Sequence, residues 1–407
     1  MSKFLSKKNR GLFSWAVYDW ANSGFPAVIQ TFVFAAYFTR QIAVDETTGS
    51  AQWGYTAGAA GFLIAIAGPL LGAIADQGGR RKPWILFFTL LCVVPTALLW
   101  LAIPDNSVLI LSLSLVGLAI MGSEFAFVFY NAMLPDLVPG QKMGRWSGWG
   151  WGLGYAGGLA CLIISLFGFV LPDQPILPVG TENAAHVRAT FVLVAVWYLI
   201  FSIPLFVFTP DRPATHKPIK KAVIDGIKQL AESIRNIRKF KDIVRFLFAR
   251  MLFIDGLATV FAFGGVYAAG TFGMDEKGVM LFGIGLNVTA GLGAALFAWL
   301  DDRLGSRDTI LYALVGLILA TSGVLYVTDL MWFWIFGLTL GIFVGPVQAA
   351  SRTLMGRMAP EHLRTEMFGL LAFSGKATSF IGPLAVGALT AYFSSQRMGM
   401  VVILAFF

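Results

Sequence analysis

Six ionisable side chains lie inside long hydrophobic stretches of this sequence, where a charge is costly. On insertion scales a charge at the centre of a bilayer costs at least about 2.5 kcal/mol, so such groups need a partner or a wet cavity. A desolvated carboxyl can exchange a proton, and a buried base can hold a carboxylate. By counting along the stretches, Glu124, Asp255 and Lys376 lie deepest, whereas Asp19, Arg250 and Arg352 lie nearer the helix ends.

Two interpretations of these groups stay open. In one, Asp19, Glu124 or Asp255 exchanges a proton. In the other, the three bases, equal in number to the three acids, form fixed salt bridges with them. Arg250 and Asp255 are about 140° apart around a helix, which disfavours a direct pair, so each is expected to reach a different helix.

Polar residues recur at helical spacing on three of the stretches. Residues at i, i+3, i+4, i+7 and i+11 share one face of a helix. Such a face inside a membrane is expected to border a cavity. The stripes are Asp19, Asn22, Ser23, Pro26 and Gln30; Glu124 and Asn131; and Gly345, Gln348 and Arg352.

A zwitterionic solute would match this set of charges. Its carboxylate would bind Lys376 or Arg352, and its ammonium group would bind one of the three acids. Trp15, Trp20 and Tyr130 could wall an apolar side chain, although aromatic residues near helix ends are more often interfacial anchors.

The composition indicates that these stretches lie in a lipid bilayer. The 407 residues are 57% hydrophobic and 13% charged, with a mean hydropathy of +0.74. Soluble chains carry about 25% charged residues, so a water-soluble fold is excluded. The sequence predicts an all-α polytopic membrane protein, since a helix of about 20 apolar residues crosses the hydrocarbon core. The predicted spans, numbered 1 to 12 in chain order, are 13–39, 53–75, 84–103, 107–134, 146–171, 189–209, 243–271, 277–300, 308–328, 331–357, 366–393 and 397 onward.

The loop charges predict the orientation. Basic residues, which give the net charge of +8, concentrate in alternate loops and so indicate topology, not nucleic-acid binding. The amino terminus is therefore expected in the cytoplasm, and the first span is expected to be uncleaved. After Arg397 only ten residues remain, too few to cross the core, so the last helix is expected to be cut short.

A basic connection divides the chain into two halves. Residues 211–245 carry ten bases and four acids. Apolar residues recur within it at helical spacing opposite Lys and Arg, which predicts an amphipathic helix on the anionic inner leaflet; a calmodulin-like target is the alternative. The predicted domains are 1–210, 211–242 and 243–407. The apolar residues are Val223, Ile227, Leu230, Ile234 and Ile237.

The halves share an internal repeat. Pro139, Gly148 and Gly154 match Pro360, Gly369 and Gly375 at one offset. The connections after spans 2 and 8 also match, each with an acid, a glycine turn and bases. The first copy is Gly72, Asp76, Gly79, Arg80 and Arg81; the second is Asp302, Arg303, Gly305 and Arg307, with Ala298 and Ser306 in place of a glycine and a base.

The first loop copy and the repeat resemble the major facilitator superfamily. Further segments make the whole chain similar to the autophagy-related vacuolar amino-acid effluxer family and its bacterial relatives. These segments are Trp15–Ser23, Val28–Phe34, Tyr130–Pro135, Phe248–Met251 and Asp255–Gly256.

The resemblance implies twelve helices in two halves of six. It implies that spans 1, 4, 7 and 10 line a central pathway, that the loop motif latches a cytoplasmic gate, and that the chain exports neutral amino acids from a bacterial cytoplasmic (inner) membrane. The polar residues and the transporter repeat favour proton-coupled secondary transport. A monomer is expected. A transporter of lysolipid or another amphiphile, and an assembly factor that kept the fold, are the alternatives.

The sequence contains no motif for metal binding, ATP binding or enzymatic catalysis. Neither Cys92 and Cys161 nor the three histidines have metal-ligand spacing, so no metal is expected. No phosphate-binding loop of an ATPase occurs, and no nucleophile and base recur at useful spacing, so neither a cofactor nor an enzyme is expected.

Span 5 is rich in glycine. These glycines permit the close approach of a neighbouring helix, and packing is their predicted role. They partly resemble the antiporter motif of the superfamily, but Tyr155 replaces its proline. The glycines are Gly148, Gly150, Gly152, Gly154, Gly157 and Gly158.

Overall fold

The computed structural model describes residues 7–172, 175–176, 178–215 and 217–407. In this part of the chain all regular elements are helices, and ten of them are long and apolar enough to cross a membrane. They correspond to spans 2 to 11, which confirms the polytopic α-helical prediction. They are Glu46–Gly78, Lys82–Leu101, Asn106–Leu137, Gly140–Val170, Glu182–Phe208, Arg238–Phe272, Gly278–Leu304, Ser306–Tyr326, Leu330–Met358 and Glu361–Phe393.

Span 1 is divided into segments, contrary to the single helix predicted. An α-helix, Lys7–Asn22, is followed by a π-helix, Phe25–Phe32, a short α-helix, Phe34–Tyr37, and a second π-helix, Phe38–Ile42. Pro26 explains the first break, because it has no N–H to donate to the residue four positions earlier.

Span 11 is also interrupted. Its first part, Arg364–Lys376, and its second part, Ile381–Phe393, are separated by a non-helical stretch at 377–380. Pro383 lies in the first turn of the second part, where its ring would clash with the carbonyl of Ser379 in a continuous helix. Beyond it a shorter apolar helical stretch, Gln396–Phe406, occupies the position of span 12.

Acidic residues of the loops before spans 2 and 8 cap helices. Asp45 accepts a 2.9 Å hydrogen bond from the Thr48 amide, and Asp275 accepts one of 2.8 Å from the Gly278 amide. The Thr48 hydroxyl and amide hold the pKa of the Asp45 carboxyl below its usual value. Capping of this kind explains why span 2 begins at Glu46, earlier than its apolar run predicts.

The chain divides into two compact units. The first comprises residues up to Met133 together with Leu153–Ile227, and the second comprises Leu134–Gly152 with Lys228–Phe407. The helix Met143–Ser165 therefore contributes residues to both. The predicted division at 211–242 concerns the sequence repeat and stays a prediction.

Local geometry reproduces the repeat. Pro139 and Pro360 have nearly equal ψ angles, 143° and 145°, and each precedes one turn of 3-10 helix before a long helix. Gly79 and Gly305 both have positive φ, 81° and 92°. Glycine adopts this conformation without the clash that a Cβ would bring.

Candidate transport pathway and gate

Asp19 lies buried among aromatic rings in the first unit, with 3% of its surface exposed. The Tyr130 hydroxyl donates a 2.8 Å hydrogen bond to its Oδ2. The Trp15 ring stacks on Tyr130 with centroids 4.7 Å apart, and Trp15 Nε1 donates a 3.2 Å bond to the Tyr130 carbonyl. Both aromatic side chains are fully buried, so they enclose the acid and are not interfacial anchors.

A second group of hydroxyls lies beside this enclosure. The Tyr18 hydroxyl is 2.6 Å from Thr89 Oγ1 and 2.9 Å from the Tyr198 hydroxyl. Asn22 Nδ2 donates to the same Tyr198 oxygen at 3.0 Å, and Ser123 Oγ donates to Asn22 Oδ1 at 3.4 Å. The bonds join spans 1, 3, 4 and 6, so they hold Asn22 in one orientation.

The predicted stripe on span 1 holds only through its α-helical part. Asp19 and Asn22 lie on that part, whereas Gln30 is half-buried on the π-helix Phe25–Phe32. Hydrogen bonds from i to i+5 widen each turn, so a spacing of 3.6 no longer sets the face that Gln30 occupies. On span 4, Asn131 is buried and Glu124 half-buried in the same unit.

The glycines of span 5 allow close helix contacts, as predicted. A Cβ on Gly157 would lie 2.5 Å from the carbonyl oxygen of Trp20, and one on Gly158 would lie 2.9 Å from that of Ser23. In the second unit, a Cβ on Gly148 would lie 2.5 Å from the Ala294 carbonyl oxygen. Their role in packing is therefore visible in the structure.

Arg250 and Asp255 both face span 11, at different levels. Arg250 Nη1 donates to the Leu371 carbonyl at 2.6 Å and to Ser374 Oγ at 2.7 Å. Asp255 is 2% exposed, and its Oδ1 accepts no hydrogen bond from the residues that the structure describes. The two side chains therefore face the same neighbouring helix, contrary to the prediction that each reaches a different one.

Arg352 on span 10 is almost fully buried in the second unit. Its Nε donates to Ser147 Oγ at 2.9 Å, and its Nη2 donates to the Ser147 carbonyl at 2.6 Å. Its guanidinium carbon lies 5.8 Å from the Trp151 ring centroid. Gln348 and Lys376 are half-buried on spans 10 and 11.

The first loop copy contacts the chain that follows span 6. Arg81 pairs with Asp76 at 3.8 Å, and both side chains are buried. Asp211 accepts bonds of 3.0 and 3.1 Å from the amides of Arg81 and Lys82, at the start of span 3. A carboxylate at a helix amino terminus is stabilised by the helix dipole. Gly72 is buried on the same helix as Asp76.

The second loop copy binds helix ends of the second unit. Asp302 accepts a 3.2 Å bond from the Arg145 amide, at the start of span 5. Arg357 donates to Asp301 at 2.8 Å and pairs with Asp302 at 3.7 Å. Asp301 also accepts a 2.7 Å bond from Ser306.

The basic residues of the two loop copies differ in solvent exposure. Arg81 is buried, whereas Arg80, Arg303 and Arg307 are exposed. The sequence analysis did not identify the bases that pair with the acids of the second loop copy, because bases in these loops were interpreted as determinants of membrane orientation. It also missed buried hydroxyls, which look like packing residues in an apolar stretch. The missed residues are the bases Arg145 and Arg357, the hydroxyl-bearing Tyr18, Thr89 and Tyr198, and the acids Asp211 and Asp301 with which the amides and bases pair.

The part of the chain that the structure describes contains no group of three His, Cys, Asp or Glu side chains able to hold a metal ion. Cys92 and Cys161 are both buried and reduced.

Comparison with known proteins agrees with these features. The family described as Vacuole effluxer Atg22 like matches residues 47–407. The uncharacterized MFS-type transporter YxiO of Bacillus subtilis is 30% identical over 399 residues, covering 97% of this chain and 91% of that protein. Autophagy-related protein 22-1 of Penicillium rubens is 25% identical over 280 residues, covering 63% of this chain but only 46% of that protein.

Among solved structures, the proton:xylose symporter XylE is similar with a TM-score of 0.71. The identity is 12%, and the match covers 100% of this chain and 94% of that chain. The likeness shows a shared fold. The family match and the similarity to YxiO, together with the helices and the shared fold, identify a multi-pass membrane transporter with the major facilitator fold. The chain belongs to the vacuole effluxer Atg22-like family.

Proposed function

We propose that this chain is a secondary active transporter that moves a small polar or zwitterionic solute, a neutral amino acid, by alternating access. The flux is proton-coupled efflux, and the solute leaves chemically unchanged. The family description names an effluxer, and the relative YxiO is described as a transporter, which supports transport as the activity.

The aromatic enclosure of Asp19 is the observation that supports a substrate with an ammonium group. A carboxylate beside stacked rings offers an ammonium group both a charge partner and cation–π contacts. The hydrogen bond from Tyr130 fixes the carboxylate in position. Within the second unit, Arg352, Arg250 and Lys376 are the groups whose charge would suit a carboxylate.

The two loop copies serve as gate elements. At the first copy, Asp211, which follows span 6, accepts hydrogen bonds at the amino terminus of span 3. At the second copy, Asp302 accepts one at the amino terminus of span 5. Such bonds can form in one conformation and break in another at moderate cost, because the groups lie near the membrane surface. The exposed bases Arg303 and Arg307 help to set the orientation of the chain in the membrane.

The chain is placed in a bacterial cytoplasmic (inner) membrane with its amino terminus inside. The support is the excess of bases in alternate loops and the bacterial relative. The outer loops carry the capping acids Asp45, Asp105, Asp275 and Asp329.

The helix Ile219–Arg235 rests on the anionic inner leaflet. Its Gly226 packs on Ile74, with a built Cβ 2.8 Å from that Cα, whereas Ile224, Ile227 and Ile234 are exposed. Exposed bases lie beside these isoleucines and not opposite them as predicted, so one exposed surface complements acyl chains and lipid phosphates together. These bases are Lys220, Lys221, Lys228 and Arg235.

Ligand-dependent thermal unfolding in detergent tests the substrate class. Leucine should raise the unfolding midpoint, whereas leucinol, which lacks the carboxylate, and 4-methylpentanoate, which lacks the amine, should raise it less. Asp19→Asn should remove the advantage that leucine has over 4-methylpentanoate. Stabilisation by a lysolipid and by none of the amino acids would replace the substrate class with an amphiphile.

A further inference from the structure

Asp255 occupies the middle of a membrane-spanning helix. It is the fifteenth residue of the 32-residue helix Lys241–Phe272, and 2% of its surface is exposed. Its Oδ1 is buried and accepts no hydrogen bond from any residue in the described part of the chain. An ionised carboxylate in this position would be strongly disfavoured.

The side chain that faces this carboxyl is Thr378. It lies in the non-helical stretch of span 11, and its hydroxyl lies near the Asp255 carboxyl without forming a complete hydrogen bond to it. Thr378 Oγ1 is itself buried and forms no complete hydrogen bond within the described residues. Two unsatisfied polar groups therefore meet where one transmembrane helix is interrupted.

Glycine brings the two spans close at this point. A Cβ on Gly382 would lie 1.9 Å from Thr259 Oγ1 and 3.3 Å from the Asp255 carbonyl oxygen. At the adjacent Gly256, the side chains of Phe406 and Phe407 pack against the helix.

The neighbouring charged groups are engaged elsewhere. Asp255 forms no ion pair within the described residues, and Arg250 on its own helix donates to Leu371 and Ser374. Lys376 precedes the break in span 11, and Arg397 donates to the carbonyl of Leu325. The charged side chains of spans 8 and 10 and of the start of span 11 form hydrogen bonds or ion pairs near the helix ends. These are Asp301, Asp302, Arg352, Arg357, Arg364 and Glu366.

We propose that Asp255 and Thr378 form the site that carries the coupling proton, an inference that rests on the proposed function. A proton from water binds Asp255, forms one O–H bond and leaves the carboxyl neutral. The acid then donates to Thr378 Oγ1, so both unsatisfied groups gain a partner. Release of the proton to water on the other side restores the carboxylate. Interrupted helices line ion sites in other transporters, where freed polar groups face the ion.

Infrared difference spectroscopy of the full chain in liposomes, recorded during pH steps, tests the site without requiring transport. The wild type should show the C=O stretch of a protonated carboxyl. Asp255→Asn should lose that band, Thr378→Val should shift it because a hydrogen bond is lost, and Asp242→Asn, an exposed acid on the same helix, should leave it unchanged. A band that survives Asp255→Asn would overturn the assignment.

Flux measurements separate this proposal from the proposed function. If wild-type vesicles exchange leucine, an imposed pH gradient should alter the flux in wild type and Asp242→Asn but not in Asp255→Asn. A retained gradient response in Asp255→Asn would contradict the site. If wild type exchanges no amino acid, the proposed function fails, and the infrared band still decides whether Asp255 binds a proton.

Discussion

The Tyr130 hydroxyl donates a 2.8 Å hydrogen bond to the carboxylate of Asp19, which is 111 positions earlier in the chain. The bond ties span 4 to span 1 inside the first unit. Because Trp15 stacks on the same tyrosine ring, the position of the acid depends on the aromatic packing around it.

Removing this hydroxyl should weaken substrate binding. Hydrogen bonds to charged groups contribute about 1.5–3 kcal/mol, so Tyr130→Phe should raise the KM of amino-acid transport by about tenfold or more. The matched control is Tyr267→Phe, because the Tyr267 hydroxyl is buried and has no hydrogen-bond partner within the described residues. Kinetics of labelled leucine flux provide the measurement, and equal KM values for the two variants would contradict the role of the bond.

Substitution of the span 5 glycines should destabilise each unit separately. Gly157→Ala would push against the Trp20 carbonyl and Gly148→Ala against that of Ala294, both at 2.5 Å. Overpacking of this kind costs about 1–3 kcal/mol. Gly58→Ala on span 2 is the control, since no atom lies within 4 Å of its built Cβ. Thermal unfolding in detergent should give lower midpoints for the first two variants, and a midpoint for Gly157→Ala equal to that of Gly58→Ala would refute the packing account.

The second loop copy should depend on Arg357 and not on Arg303. Arg357→Ala would leave Asp301, which is 3% exposed, without its base. Loss of one partner of a buried pair costs about 3–5 kcal/mol; because the arginine side chain is 24% exposed, a smaller loss of about 2 kcal/mol is expected here. Arg303→Ala removes an exposed base and should change the unfolding midpoint little. Equal effects of the two substitutions would show that the pair does not stabilise the loop.

The helix Ile219–Arg235 should lie at the lipid surface. A nitroxide attached through Ile227→Cys should meet dissolved oxygen more often, and a water-soluble nickel chelate less often, than one attached through Glu232→Cys. Phosphatidylglycerol should enhance the difference relative to phosphatidylcholine, because Lys221 and Lys228 flank the isoleucines. Cys92 and Cys161 are buried and should not react with the label. High access of the chelate at 227 in both lipids would place this face in water.

Much of the fold could be predicted because the membrane imposes a simple pattern. Apolar length and loop charge predicted spans 2 to 11 near their observed positions. The repeat was visible in Pro139 and Pro360, which share one backbone geometry. The segmentation of span 1 was missed because hydropathy does not register the hydrogen bond that Pro26 cannot donate.

The site was predicted less completely. Its charges stand out in an apolar sequence, so Asp19, Asp255 and Arg352 could be selected by type alone. Their partners are hydroxyls, backbone carbonyls and ring faces, such as Tyr130 and Ser147, which resemble ordinary packing residues until the helices are placed together. The pairing of Arg357 with Asp301 depends on the relative positions of two helix ends, and spacing along the sequence does not contain it.

Counterflow of labelled leucine into proteoliposomes tests the central claim most directly. Vesicles are loaded with unlabelled leucine at equal pH on both sides, so exchange requires neither a gradient nor a known direction of flux. Vesicles with the wild-type chain should accumulate label transiently above the level of protein-free vesicles, and excess unlabelled leucine outside should abolish this. Absence of accumulation for leucine, tyrosine and other neutral amino acids, in vesicles whose protein is folded and correctly inserted, would contradict amino-acid transport by this chain.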